Sequence, residues 1–167
     1  MKIALATKNA GKLQEFKELA EGTPYELIQM PETIRDLPPE TGETFYENAL
    51  IKAKFISQKL GVPAIGDDSG LEVDALDGRP GIFSARYSKT GLDYDNCLKL
   101  LNDMKRVQAE ARAARFRCCL VGYFKGKIIK SEGMLRGVIA TEFKGNKGFG
   151  YDPIFITENG LHLAELD

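Results

Sequence analysis

The chain has no tryptophan, one histidine and three cysteines among its 167 residues. Each scarcity removes a class of chemistry. A Ser-His-Asp or Cys-His relay, or a histidine-rich metal site, would have to use His162, which stands near the end in "LHLAELD". The cysteines are Cys97, Cys118 and Cys119. Their odd number and the adjacent pair suit neither a disulfide framework nor a zinc ligand set. Reduced thiols in a cytoplasmic protein are the plain reading. No apolar run approaches the roughly 20 residues of a membrane span. "MKIALAT" reads as an opening strand, not a signal peptide. An excess of either charge is also missing: 23 Lys and Arg stand against 24 Asp and Glu, for a net −1. A protein that coats nucleic acid is usually basic, so neither nucleic acid nor membrane is an expected partner. A small anionic substrate stays open, because a few lysines can gather locally within a balanced total.

What is present is the composition of an ordinary globular domain, 43% hydrophobic and 28% charged. The length allows one domain with a full core. Residues 2–6 read as a buried strand, 12–20 as a helix through Leu13, Phe16, Leu19 and Ala20, and 25–30 as a second strand. Strand–helix–strand favours a parallel pair with a right-handed crossover. Residues 31–43 form a proline-rich acidic loop. Thr44 and Glu47 make a capping box at the start of a long helix with the stripe Phe45, Ala49, Ala53, Ile56 and Leu60. Gly61 and Pro63 end it. Residues 63–76 are expected to be a strand, a tight turn at "GDDSG" and a second strand. Residues 77–88 read as a loop and 93–114 as a helix through Tyr94, Leu98, Leu101 and Met104. Residues 115–124 and 127–140 read as antiparallel strands, followed by a glycine-rich loop over 144–155. The class is mixed α/β with one continuous sheet system.

Three segments could carry chemistry. "ATKNAGK" is a strand-to-helix turn, where amides and the helix dipole favour an anion; Thr7, Asn9, Lys8 and Lys12 would add donors and charge. It lacks the Walker pattern, since Leu13 stands where a magnesium-binding Ser or Thr would be. A capped helix start explains it equally well. "GDDSG" places Asp67 and Asp68 after an apolar strand. Paired carboxylates there are costly without a nearby cation, and magnesium fits, as would a carboxylate that orients or deprotonates water. A turn with solvated acids is the plainer reading. Glu40, in the proline-stiffened loop, has no capping role and is a candidate metal ligand; Lys52 could reach a phosphate or lie in solvent. "KGFGYDP" puts Phe149 between glycines, suited to stacking on a flat base, or to packing in a core.

Taken together, "ATKNAGK", "ETGETFYENALIKA", "DDSGLEVDAL", "PGIFSARYS" and "GFGYDPIF" resemble the inosine triphosphate pyrophosphatase (Ham1-like) family, from residue 1 to the end. The resemblance implies an elongated two-lobed α/β fold, a mixed sheet flanked by helices with the active site in the central cleft. It implies magnesium-dependent hydrolysis of ITP, dITP and XTP to monophosphate and pyrophosphate, usually by a homodimer. By motif, Thr7, Lys8, Asn9, Ala10, Gly11 and Lys12 would bind the triphosphate. Glu40 and Asp68 would hold magnesium, with Asp68 also the base for the attacking water. Lys52 and Ser69 would contact substrate. Phe149, Gly150, Tyr151 and Asp152 would line the base pocket, Phe149 as the stacking ring.

The family pattern continues past "AEL" with a lysine and a Ser-His-Arg motif that meets the base. This sequence reads "AELD", so a single domain over 1–167 without that segment is expected, with purine selectivity the property most affected. Two other readings stand beside the enzyme: a non-catalytic or weakly active nucleotide-binding relative, and a related housecleaning enzyme with pyrimidine or modified-base preference. Intact Glu40 and Asp68 favour the enzyme.

Overall fold

The computed structural model describes residues 1–8, 10–31, 33, 34 and 36–166, with Ala10 and Gly11 described as backbone only. Strand β1 (Lys2–Leu5), helix α1 (Ala10–Leu19) and strand β2 (Glu26–Gln29) realise the predicted parallel pair, Lys2 facing Glu26 and Leu5 facing Gln29. Leu13 is the buried anchor of α1, whereas Leu19, assigned above to the same face, is 78% exposed in the last turn. Helix α2 (Phe45–Leu60) starts where the capping box puts it: Thr44 Oγ1 accepts the Glu47 N–H, and Glu47 accepts the Thr44 N–H. Gly61, at φ 69°, ends it in the left-handed conformation that glycine reaches without a Cβ clash.

Strand β3 (Ala64–Val73) pairs in parallel with β1, Ala4 facing Ala64. It runs straight through "GDDSG", so the expected tight turn is absent. The glycine before the acids serves close approach instead. A Cβ on Gly66 would lie 2.0 Å from the Ala49 carbonyl oxygen, so the bare backbone is what lets β3 press against α2.

Helix α3 (Asp93–Asp103) is shorter than the predicted 93–114. Carbonyls just past its end are taken by a side chain: Arg112 donates from Nη1 to Met104 O and Val107 O, and also from Nε and Nη2 to Ile139 O and Ala140 O. The chain then enters strand β4 (Ala113–Phe124). The buried stripe of α3 is Cys97, Leu100 and, just past its end, Met104, while Tyr94 and Leu98 are exposed. Strand β5 (Lys127–Ile139) follows a two-residue turn, Lys125 at φ 47° and Gly126 at φ 84°, as a tight hairpin of this hand requires. Strand β6 (Phe155–Thr157) is antiparallel to β5, Ile139 facing Phe155. The six strands run β2-β1-β3-β4-β5-β6 in one mixed sheet flanked by helices.

The chain divides into two compact units, residues 1–68 with 118–132, and residues 69–117 with 133–167. Each has its own core. In the first, Ile56 of α2 packs with Ala4, Ala6, Met30 and Ala64. In the second, Leu71, Val73, Leu100, Met104, Ile139, Tyr151, Ile154 and Phe155 form the cluster. His162 is structural, as its isolation suggested: its ring Nδ1 lies 2.7 Å from Pro153 O and its backbone N–H donates to Glu165. No helix among the described residues is long and apolar enough to cross a membrane.

Candidate functional site

In the first unit the connection from β1 to β2 runs one way along the sheet and that from β2 to β3 runs back. With right-handed crossovers, α1 and α2 therefore cover opposite faces. The reversal lies between β1 and β3, the position where open parallel sheets leave a crevice beyond the strand ends. Thr7 and Lys8 follow β1 there, and the acids of "GDDSG" lie in β3.

Successive side chains on a strand point to opposite faces, so adjacent acids receive different partners. Asp67 is buried and forms an ion pair with Lys12 of α1. The Cys118 thiol also lies 3.5 Å from Asp67 Oδ1. Asp68 turns to α2: Lys52 Nζ donates to its Oδ1 at 3.1 Å and Asn48 Nδ2 to its Oδ2 at 3.2 Å. Lys52 also donates to Glu40 Oε1 at 2.8 Å. One buried ammonium thus joins the two carboxylates that the resemblance assigned to a metal.

The charges leave their mark on ionisation. Burial lifts the Asp68 carboxyl above its ordinary value; Lys52 opposes this and Glu40 adds to it. Burial lowers the affinity of Lys52 for its proton, but Asp68 and Glu40 more than reverse that and hold it charged. Lys52 is therefore not a solvated surface lysine.

In the second unit the segment 148–152 forms a tightly held turn. Gly148 at φ 73° and Gly150 at φ 60° flank Phe149, a residue 62% exposed. Asp152 Oδ2 accepts the Phe149 N–H at 2.9 Å and Asp93 Oδ2 accepts the Gly150 N–H at 2.8 Å. The Cys97 thiol donates to Gly150 O at 3.3 Å. Burial, with Asp93 and Asp152 nearby, pushes that thiol up to about 12, so it keeps its proton as a donor. Burial likewise raises the Asp152 carboxyl, against the pull of the Phe149 amide. A cavity of about 330 Å³ lies beside this turn, lined among others by Asp93, Tyr94, Cys97, Phe143 and Phe149.

The structure thus joins Glu40, Lys52 and Asp68 in one charged network, and pairs Lys12 with Asp67 on the opposite face of β3. Thr7 is half-buried, and Lys8 is exposed, 3.4 Å from Asp36. Asn9 lies outside the described residues, and Ala10 and Gly11 are placed only as the first helical residues. Ser69 is exposed on β3. Gly150 and Asp152 build the turn that presents Phe149, whereas Tyr151 is buried in the core with its hydroxyl donating to Ser84 O. Asn48, Asp93 and Cys97 are not among the site residues expected from sequence. Asn48 stands four residues before Lys52 off the apolar stripe, a spacing that puts both on one helix face; Asp93 and Cys97 share that spacing in α3, but nothing local signals their partner.

The Ham1 family model matches residues 3–167. The chain is 45% identical over 173 residues to the dITP/XTP pyrophosphatase of Geobacter sulfurreducens, covering 99% of this chain and 85% of that protein. It is 44% identical to that of Haemophilus influenzae, covering 99% and 88%. Among solved structures, a HAM1 protein from Coxiella burnetii superposes with a TM-score of 0.93 at 37% identity, over 100% of this chain and 87% of that one. A nucleoside-triphosphatase / dITP/XTP pyrophosphatase from Mycobacterium abscessus gives 0.85 at 40% identity, over 99% and 89%.

Proposed function

The chain belongs to the Ham1 family, and from that premise we propose that it is a pyrophosphohydrolase of deaminated purine nucleoside triphosphates, dITP, ITP and XTP. A water adds across the α–β phosphoanhydride, giving the nucleoside monophosphate and pyrophosphate. The observation that carries the reading to these residues is the Glu40–Lys52–Asp68 network, in which Lys52 and Asp68 are buried.

The donor set suits a hard divalent cation. Glu40, Asp67 and Asp68 bring three negative charges against the two ammonium groups of Lys12 and Lys52. Among the described residues no group of three or more His, Cys, Asp or Glu side chains is arranged to hold a metal by itself. Magnesium commonly takes one or two carboxylates and completes its shell with water and substrate phosphates, so Glu40 and Asp68 are the residues that would hold it. Bound there, it would neutralise phosphate charge and acidify a water. Asp68 accepts the proton of the attacking water. Its position on a strand, with both oxygens held, fixes it for that task. Lys12 and Lys52 supply further positive charge to the phosphates, with Thr7, Lys8, Asn9 and the amides of Ala10 and Gly11 at the helix start and Ser69 as additional contacts. Phe149 stacks on the base, in the turn that Gly150, Tyr151 and Asp152 shape. A homodimer in the cytoplasm belongs to the same proposal, and sedimentation velocity of the purified protein tests the assembly.

The deciding experiment measures pyrophosphate release from ITP, XTP, ATP and GTP by the wild type and Asp68→Asn with magnesium. Release from ITP and XTP far above ATP and GTP, reduced at least a hundredfold in Asp68→Asn, is expected. Equal low rates for every nucleotide in both proteins overturn the reading.

A further inference from the structure

We propose that Asn48 is a positioning residue that sets Asp68 and the Glu40 arm in one geometry, and so determines how tightly the site takes its divalent cation; this rests on the function proposed above. Asn48 is fully buried, and both ends of its amide are used. Its Oδ1 accepts the Gly42 N–H at 2.8 Å, and its Nδ2 donates to Asp68 Oδ2 at 3.2 Å. The orientation is dictated by chemistry: an N–H needs the oxygen, and a carboxylate needs the NH2.

The acceptor end works on the Glu40 arm. Gly42 is two residues beyond Glu40, and its amide is bound by Asn48. The next two amides, Glu43 and Thr44, both donate to Glu47 Oε2, at 2.6 and 3.1 Å. Three successive N–H groups are therefore fastened to the first turns of α2. Gly42 has no room for a side chain, since a Cβ would lie 2.5 Å from Glu47 Cβ and 2.8 Å from Asn48 Oδ1. The donor end works on Asp68, leaving its other oxygen to Lys52, which also holds Glu40. Lys52 joins the two carboxylates by charge. Asn48 joins the backbone of the Glu40 arm to the Asp68 carboxylate itself, and β3 comes within its reach where Gly66 lets the strand meet Ala49, the next residue of α2. Groups that orient metal-binding carboxylates typically change metal affinity or activity 10- to 100-fold when removed.

The test compares wild type, Asn48→Ala and Asn48→Asp, which keeps an acceptor for Gly42 but loses the donor to Asp68. Ile56→Val, a core change about two turns further along α2, serves as the structural control. Two readouts are taken: the magnesium concentration giving half-maximal pyrophosphate release from ITP, with kcat and nucleotide KM at saturating magnesium, and the magnesium-induced rise in Tm with inorganic pyrophosphate present. Both Asn48 variants are expected to need about tenfold more magnesium and to lose about tenfold or more in kcat, with nucleotide KM changing less. Ile56→Val is expected to lower Tm without moving the magnesium requirement. Folded Asn48 variants with the wild-type magnesium requirement and Tm response overturn the inference. If Asn48→Ala does not fold, Asn48→Asp and Gly42→Ala, which crowds Oδ1 from the loop side, decide it by the same readouts. A wild type that releases no pyrophosphate overturns the proposed function instead, and the Tm response then still judges Asn48.

Discussion

Asp93 Oδ2 accepts the backbone N–H of Gly150 at 2.8 Å, across 57 residues of chain. The first turn of α3 thereby fixes the peptide that follows Phe149. If Phe149 stacks on the base, Asp93→Ala should raise KM for ITP about tenfold, the loss of one charge-assisted hydrogen bond of about 1.5 kcal/mol, with kcat less changed. Asp93→Asn, which can still accept, should stay near wild type. Steady-state kinetics on both variants check this; equal KM values in wild type and Asp93→Ala would remove Asp93 from the base side.

The Asp68 carboxyl is lifted by burial, pulled back by Lys52 and lifted again by Glu40. A raised value means more of the protonated form at a given pH. Lys52→Met removes the opposing charge, so it should move Asp68 further up. Glu40→Gln removes a like charge, so it should move Asp68 down. Carbon-13 NMR titration of the Asp68 carboxyl in metal-free protein reads both directions; shifts of the opposite sign would mean that Lys52 is not its counter-charge.

Gly66→Ala tests the backbone contact between β3 and α2. A Cβ there meets the Ala49 carbonyl at 2.0 Å and the Ala53 nitrogen at 2.8 Å. Neither is a flexible side-chain tip that could move aside. We expect a loss of about 3 kcal/mol in urea unfolding, from overpacking and displaced backbone. A variant within 0.5 kcal/mol (about the spread of ordinary surface substitutions) would contradict the packing described.

Arg112 is buried, and the structure shows its guanidinium donating to four carbonyls. Arg112→Met keeps much of the volume and strips every donor. It should cost about 3 kcal/mol, since buried acceptors left unpaired are expensive. Arg112→Lys should recover only part, because an ammonium cannot match the planar fork. Thermal denaturation of the two variants ranks them; equal stability of Lys and Met would show that the fork geometry is not what matters.

Much of this was legible in the residues. The Thr44–Glu47 box and Gly61 marked both ends of α2, because capping is local and each partner lies within a turn of the other. The parallel β1–β2 pair followed from strand–helix–strand order. "GDDSG" was misread as a turn because glycine has two uses, positive φ and close approach, and only the presence of α2 distinguishes them. The end of α3 was misplaced because Arg112, nine residues beyond Asp103, takes carbonyls that the helical pattern would have passed to the next turn. In the candidate site the charged residues could be picked out by type and spacing. Asn48 could not, since its role exists only once Gly42 and Asp68 are folded around it.

The unbroken strand through residues 64–73 also fixes which acid does which work. Asp67 answers to Lys12 and Asp68 to Asn48 and Lys52 because a pleat sends neighbours to opposite sides. Inserting or deleting one residue between Pro63 and Gly66 would send every following side chain to the wrong face, handing each acid the other's partners. The part of the loop before Glu40 can change length without that penalty, whereas the stretch from Glu40 to Thr44 is tied to α2. Descent within the family is therefore expected to vary only that earlier part freely and to count this stretch of strand in steps of two.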